Sequence, residues 1–306
     1  MTAAVVVFPG QGIQRRGMGA RWFDRFPDLV ARADEQVGYS LRRLCLDDPH
    51  NRLAWGLFAQ PAAYVVNALA YRALRADVLE PNRIEPAAVL GHSLGEYNAL
   101  EAAGVFDFAT GLRLVLARAD ATCDLPGRML AVVGLDRDEI AAALARQGLP
   151  DVTLANLNSA AQTVLSGPAP QIAQAQTVLR AAGARLVTRL RINGAYHSPL
   201  MAPAARPFAA ELRRIRPRHP RVPVICNVTA RPHRIETLGR RLTEHLTHPV
   251  LWQPSIEWLL DTLPGRVDFY EAGEDGVLTR LIQHIENDMR RRDNDTARVG
   301  ATKEDT

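Results

Sequence analysis

Cysteine is scarce in this chain. There are three in 306 residues, Cys45, Cys123 and Cys226, odd in number and without a CxxC spacing. That excludes a disulfide framework and a cysteine-based zinc site, and it suits a reducing compartment. Lysine is rarer still: Lys303 is the only one, so the 37 basic residues are otherwise arginine. The net charge of +4 is not gathered into a basic block, which argues against a nucleic-acid partner and fits docking of an acidic one. No apolar run reaches the roughly 18 residues a membrane span needs. The first ten residues carry no basic region ahead of their apolar run, so a signal peptide is not expected, and a cytoplasmic protein without a membrane anchor is. What remains is a chain that is 47% hydrophobic and long enough for a large core in one to two domains.

The stretch from Ala87 to Leu100 reads as an apolar strand, a sharp turn and a helix. The turn is Gly91-His92-Ser93-Leu94-Gly95, a G-x-S-x-G nucleophile elbow. A serine there is pushed out at the carboxyl end of a sheet, and its neighbours must be small for strand and helix to close together. The N–H groups opening the helix then point at any oxyanion formed on a bound carbonyl. The pattern alone also fits a plain glycine-rich turn; the strand before it and the helix after it favour the elbow.

Before the elbow, Val5–Phe8 reads as a buried strand ending at Pro9-Gly10-Gln11-Gly12, where glycine lets the Gln11 backbone approach a ligand. Arg15 stands where a dinucleotide fingerprint needs its third glycine, and no G-K-[ST] follows. Residues 22–46 carry one amphipathic helical pattern, and Pro61 is expected in the first turn of a helix running to Leu79. A helix over Phe108–Ala121 carries Arg113 and Arg118. The strand–helix alternation predicts an α/β sheet covered on both faces. Between about 126 and 192 the order becomes β-α-β-β-α-β, the split unit of ferredoxin-like domains. The expected organisation is therefore a discontinuous large domain, 1–125 and 193–286, with a small ferredoxin-like domain, 126–192, inserted in it. Beyond Asn287 the chain turns polar and is expected to be a disordered tail.

A serine nucleophile needs a base and an oxyanion hole. Among eight histidines, His197 is the leading candidate base, on a loop after Gly194; His245 and His248 are the runners-up, and His92 should point away from its neighbour Ser93. No acidic residue stands out as a third member, and a backbone carbonyl could hold the imidazole tautomer. Arg118, by its residues alone, is an ordinary helix arginine.

Phe8-Pro9-Gly10-Gln11-Gly12, the elbow with Glu96-Tyr97-Asn98-Ala99-Leu100, Asn156-Leu157-Asn158-Ser159, Ala195-Tyr196-His197-Ser198-Pro199 and Glu271-Ala272-Gly273 occur in one order. Together they resemble the malonyl-CoA:acyl carrier protein transacylases, including the free-standing acyltransferases of polyketide synthases, over about residues 5–286. The resemblance implies an α/β hydrolase-like acyltransferase that moves malonyl from coenzyme A to Ser93 and then to the phosphopantetheine thiol of an acyl carrier protein. It makes His197 the base, the backbone N–H groups of Gln11 and Leu94 the oxyanion hole, and Arg118 the holder of the malonyl carboxylate. Gln60, Asn158, Tyr196 and His245 correspond to pocket positions, with Tyr196 favouring malonyl over branched groups. His245 stands where the family usually has a glutamine whose backbone carbonyl orients the histidine. No resident cofactor or metal is implied, only the thioester substrate and its carrier partner, and a monomer is expected. Rival expectations are an acyl carrier protein thioester hydrolase, transfer of another acyl group between carriers, and a non-catalytic docking module.

Overall fold

The computed structural model describes residues 2–304, with side chains placed through residue 292. The chain opens with strand β1 (Thr2–Phe8), followed by helices α1 (Ala20–Phe23), α2 (Pro27–Val37) and α3 (Leu41–Asp47). The single helical pattern expected over 22–46 is thus broken. Pro27 starts α2, and Gly38, at φ 80°, ends it in the left-handed region. Helix α4 (Gly56–Leu74) begins before the expected start, so Pro61 lies inside it rather than in its first turn.

Strand β2 (Pro86–Gly91), α5 (Gly95–Ala102) and α6 (Phe108–Thr122) follow. Next come β3 (Arg128–Val133), α7 (Arg137–Arg146), β4 (Thr153–Ser159), β5 (Gln162–Gly167), α8 (Ala169–Ala181) and β6 (Leu186–Arg189). The chain continues through α9 (Ala202–Leu212), β7 (Val224–Cys226), β8 (Arg231–Pro232), α10 (Leu238–Glu244), α11 (Trp252–Thr262), β9 (Arg266–Glu271) and α12 (Val277–Glu304).

The large sheet is mixed, with order β8-β7-β2-β1-β9. β7, β2, β1 and β9 run parallel, and only the edge strand β8 is antiparallel. Alternation along β1 sends Val6 and Phe8 to one face, with α4, α5 and α6, and Val5 and Val7 to the other, with α11 and α12. Parallel strands buried on both faces are apolar throughout, as Val5–Phe8 and Ala88–Leu90 are. The second sheet is antiparallel, with order β4-β5-β3-β6. Leu130, Val132, Leu165 and Val187 bury one face of it beneath α7 and α8. β4 of this sheet is tied to the segment ahead of α11, where Val250 N–H donates to Ala155 O at 2.8 Å and Leu157 N–H to Val250 O at 2.9 Å.

The tail expected to be disordered from 287 is helical as far as Glu304; residues 305–306 lie outside the described residues. Leu278, Leu281, Ile282 and Ile285 recur at helical spacing and are buried on the large sheet, with Met289 packed beside them. This is the helix that the sequence predicts over Val277–Ile285; it runs on past the point where the chain turns polar. Among the described residues, no helix is long and apolar enough to cross a membrane.

Candidate active site

The site forms at the carboxyl ends of β1 and β2, neighbours in the parallel sheet, with Phe8 paired to Gly91. Between β2 and α5 the chain turns so sharply that a Cβ on Gly91 would lie 1.9 Å from the Gly95 carbonyl carbon, and one on Gly95 2.2 Å from Phe8 O. Ser93 sits between them at φ 51°, a left-handed conformation that costs a non-glycine residue free energy. Asn227, just past β7, holds the turn from one side. Its Oδ1 accepts from Ser93 N–H at 2.8 Å and its Nδ2 donates to Gly91 O at 2.7 Å.

His197 comes from the loop ahead of α9, also at positive φ, 60°. Its Nε2 is 2.7 Å from Ser93 Oγ, and its Nδ1 is 2.8 Å from the His245 carbonyl oxygen. A carbonyl only accepts, so Nδ1 carries the proton and Nε2 is free to accept one from the serine hydroxyl. Both residues are buried, at 9% and 3% exposure. Burial, then the adjacent His245 and Arg118, hold His197 well below the usual imidazole range, so it is a neutral base near neutrality. The N–H groups of Gln11 and Leu94, each three residues past the end of β1 and β2, donate to no group among the described residues.

A second group forms around Arg118 on α6, which is 2% exposed. Its Nη1 donates to Gln60 Oε1 on α4, and its guanidinium lies over the Tyr196 ring, 5.4 Å from the centroid. Gln60 Nε2 donates to Tyr196 Oη at 3.2 Å and reaches Thr122 Oγ1 at 3.4 Å. No carboxylate lies within ion-pair distance of Arg118 among the described residues. A buried cation with one engaged acceptor and no carboxylate nearby is costly to keep unless an anion joins it.

The structure brings Ser93, His197 and the His245 carbonyl together, and separately Arg118, Gln60 and Tyr196, which precedes His197. The side chain of His245 is not turned to a pocket; its Nδ1 is 2.7 Å from Glu96 Oε2. Asn158 and His92 meet each other instead of Ser93, with His92 Nε2 2.9 Å from Asn158 Oδ1, and burial pushes His92 down to about 4. They line a cleft of about 490 Å³ between the two sheets, together with Gln11, Arg189, Arg191 and Leu278. His248 caps its own segment, its Nδ1 2.9 Å from Glu244 O, and stays away from the serine.

Asn227, Glu96, His233 and Thr122 were not singled out from the sequence. Glu96, an acidic residue directly after the glycine that closes the elbow, was the one visible signal. It is fully buried on α5, and its Oε1 accepts from Asn227 N–H at 3.0 Å and from His233 Nε2 at 2.8 Å. Burial alone would raise this carboxyl, but His245 and His233 hold it well below the usual range. Burial alone would lower His233, but hydrogen bonds to Cys226 and Glu96 lift it to about 10.

A mostly parallel α/β sheet that ends in a serine on a strained turn, 2.7 Å from a carbonyl-bonded histidine, is an arrangement suited to acyl transfer. The chain belongs to the acyl transferase domain family, whose model matches residues 5–267. It is 43% identical over 286 residues to the polyketide biosynthesis malonyl CoA-acyl carrier protein transacylase BaeC of Bacillus velezensis, covering 92% of this chain and 96% of that one. The crystal structure of malonyl CoA-acyl carrier protein transacylase from Burkholderia pseudomallei superposes with a TM-score of 0.89 at 44% identity, covering 93% of this chain and 98% of that one. A malonyl-transacylase solved in complex with its type II polyketide synthase acyl carrier protein, AntF, gives a TM-score of 0.85 at 32% identity, over 93% of each chain.

Proposed function

We propose that this protein transfers malonyl from malonyl-CoA to the phosphopantetheine thiol of an acyl carrier protein, for polyketide or fatty acid assembly. The observation that carries the choice of acyl group is Arg118, a buried guanidinium without a carboxylate partner, stacked on the residue that precedes the base. Malonyl supplies the missing anion, and a bidentate pair would fix the thioester carbonyl against Ser93. Gln60 and Tyr196 keep that guanidinium in place, and the Tyr196 ring leaves little room for a branch on the acyl chain.

In the first half-reaction Ser93 Oγ attacks the thioester carbon as its proton passes to His197 Nε2. The carbonyl oxygen becomes an oxyanion held by the N–H groups of Gln11 and Leu94. The His245 carbonyl steadies the imidazolium. Collapse breaks the carbon–sulfur bond, and the departing thiolate takes the proton from His197, leaving malonyl on Ser93. The second half runs the same steps with the carrier's thiol as nucleophile. The cleft past Gln11, His92 and Asn158 is read as the approach for the pantetheine arm, with Arg189 and Arg191 suited to phosphate.

The α/β sheet is read as a hydrolase-like core and the β3–β6 unit as an inserted ferredoxin-like domain, which walls that cleft. The three free cysteines suit a cytoplasmic enzyme that needs no bound cofactor.

The test is intact-protein mass after brief mixing with malonyl-CoA, with Ser93→Ala alongside. A malonyl adduct that needs Ser93 and moves to added holo carrier protein is expected. An adduct that disappears without an acceptor would make the enzyme a thioester hydrolase instead, and no adduct would redirect the search to other acyl donors.

A further inference from the structure

We propose that Glu96 is a positioning residue for both halves of the Ser93–His197 pair, a single buried carboxylate from which the elbow and the base are separately hung. The proposal rests on the acyl-enzyme reading above but not on the identity of the acyl group.

Two arms leave this carboxylate. Along the first, Oε1 accepts the Asn227 backbone N–H at 3.0 Å, and the Asn227 side chain grips Ser93 N–H at 2.8 Å and Gly91 O at 2.7 Å. That arm holds the strained serine turn and keeps the Ser93 N–H occupied. Along the second, Oε2 lies 2.7 Å from His245 Nδ1, and the His245 carbonyl receives His197 Nδ1–H at 2.8 Å. The neighbouring Leu246 carbonyl takes His197 N–H at 3.1 Å, so the base is fixed at two points of one short segment. The His245 ring lies 4.8 Å from the His197 ring; among the described residues its Nε2 has no hydrogen-bond partner, and the close approach of Nδ1 to Glu96 Oε2, off ideal hydrogen-bond geometry, is its one polar side-chain contact.

A fully buried carboxylate is expensive unless its charge is balanced. His233 supplies the balance, with Nε2 2.8 Å from Oε1. Glu96 therefore stays ionised without needing the catalytic histidine as its counter-ion. A carboxylate bonded directly to His197 would serve the orienting purpose with one contact; here the charge stands one residue back, and its geometry reaches the base through a peptide carbonyl. The same anion is tied to α5, the strand-end loop after β7 and the segment after α10. Moving any of them shifts Ser93 Oγ and His197 Nε2 relative to each other.

The experiment compares wild type, Glu96→Gln, His245→Leu and His245→Gln, each first confirmed folded by thermal unfolding. Two rates are read: labelling of Ser93 by a fluorophosphonate, which needs the Ser–His pair but no acyl pocket, and malonyl loading with kcat and KM separated. Glu96→Gln and His245→Leu should each slow labelling and kcat by about 10- to 100-fold with KM for malonyl-CoA nearly unchanged. His245→Gln, which returns a side-chain donor for Glu96, should recover most of what His245→Leu loses. Wild-type labelling rates in folded Glu96→Gln and His245→Leu, or a loss confined to KM, would overturn the proposal. If Glu96→Gln does not fold, His245→Leu against His245→Gln decides alone. Failure of the malonyl reading would show separately, as a wild type that labels with fluorophosphonate and takes no malonyl.

Discussion

Replacing Arg118 with methionine keeps a long side chain over Tyr196 and removes the charge. In the wild type Arg118 is 2% exposed and donates to Gln60 Oε1, so most of its five N–H donors are available to a ligand carboxylate. Truncating one side of a buried, hydrogen-bonded charge pair costs about 2–5 kcal/mol. At about 1.4 kcal/mol per decade, malonyl loading should fall by roughly 30-fold to a few thousand-fold. Acetyl carries no carboxylate, so its loading should hardly change, or rise as the uncompensated cation leaves the pocket. The assay is the rate of acyl-Ser93 formation by intact mass, with malonyl-CoA and acetyl-CoA in parallel under single-turnover conditions. The quantity that matters is the ratio of the two rates. Equal losses for both donors would mean that Arg118 supports the fold rather than the acyl group, and the argument from an unpaired buried cation would fail.

Three further outcomes are expected. Gly95→Ala would put a Cβ 2.2 Å from the backbone oxygen of Phe8, so it should destabilise the protein by the upper end of about 1–3 kcal/mol or more in urea unfolding. His197 is held well below its ordinary value and works as the neutral base, so malonyl loading should stay level as pH falls through about 6.5 and decline only well below it; a half-loss at the ordinary value would contradict the burial argument. Ile285→Ala, at a fully buried position where α12 meets the large sheet, should cost about 2–5 kcal/mol by the same unfolding measurement, whereas an α12 not packed on the sheet would leave stability untouched.

The elbow was legible because its requirements are local. Two glycines must flank the serine whatever the rest of the chain does, and the apolar strand before it has a short, bounded pattern. Helix boundaries were less so. Periodicity reads through Pro27 and Gly38, although one starts a helix and the other ends one. It also missed the start of α4, because Pro61 is tolerated just past the turn where backbone N–H groups lack partners. The length of α12 was hidden because an amphipathic helix with a charged outer face has the composition of a tail. Glu96 was hidden for another reason. Its partners, Asn227, His233 and His245, lie more than a hundred positions away, and a buried acid cannot be told from a solvated one until those loops are seen around it.

The proposed oxyanion donors, Gln11 and Leu94, follow directly on β1 and β2, whose pairing runs to Phe8 and Gly91 and is closed by His92 N–H to Phe8 O at 2.9 Å. The two strands that lead to these donors are thus held about 4.8 Å apart by the ladder, a dimension that backbone chemistry sets for every sheet. Side chains such as Tyr196 or Gln60, which stand beside Arg118, can be exchanged without altering that spacing. Acyl preference can therefore drift by altering the walls, while the strand spacing behind the proposed donors is renewed each time the chain folds.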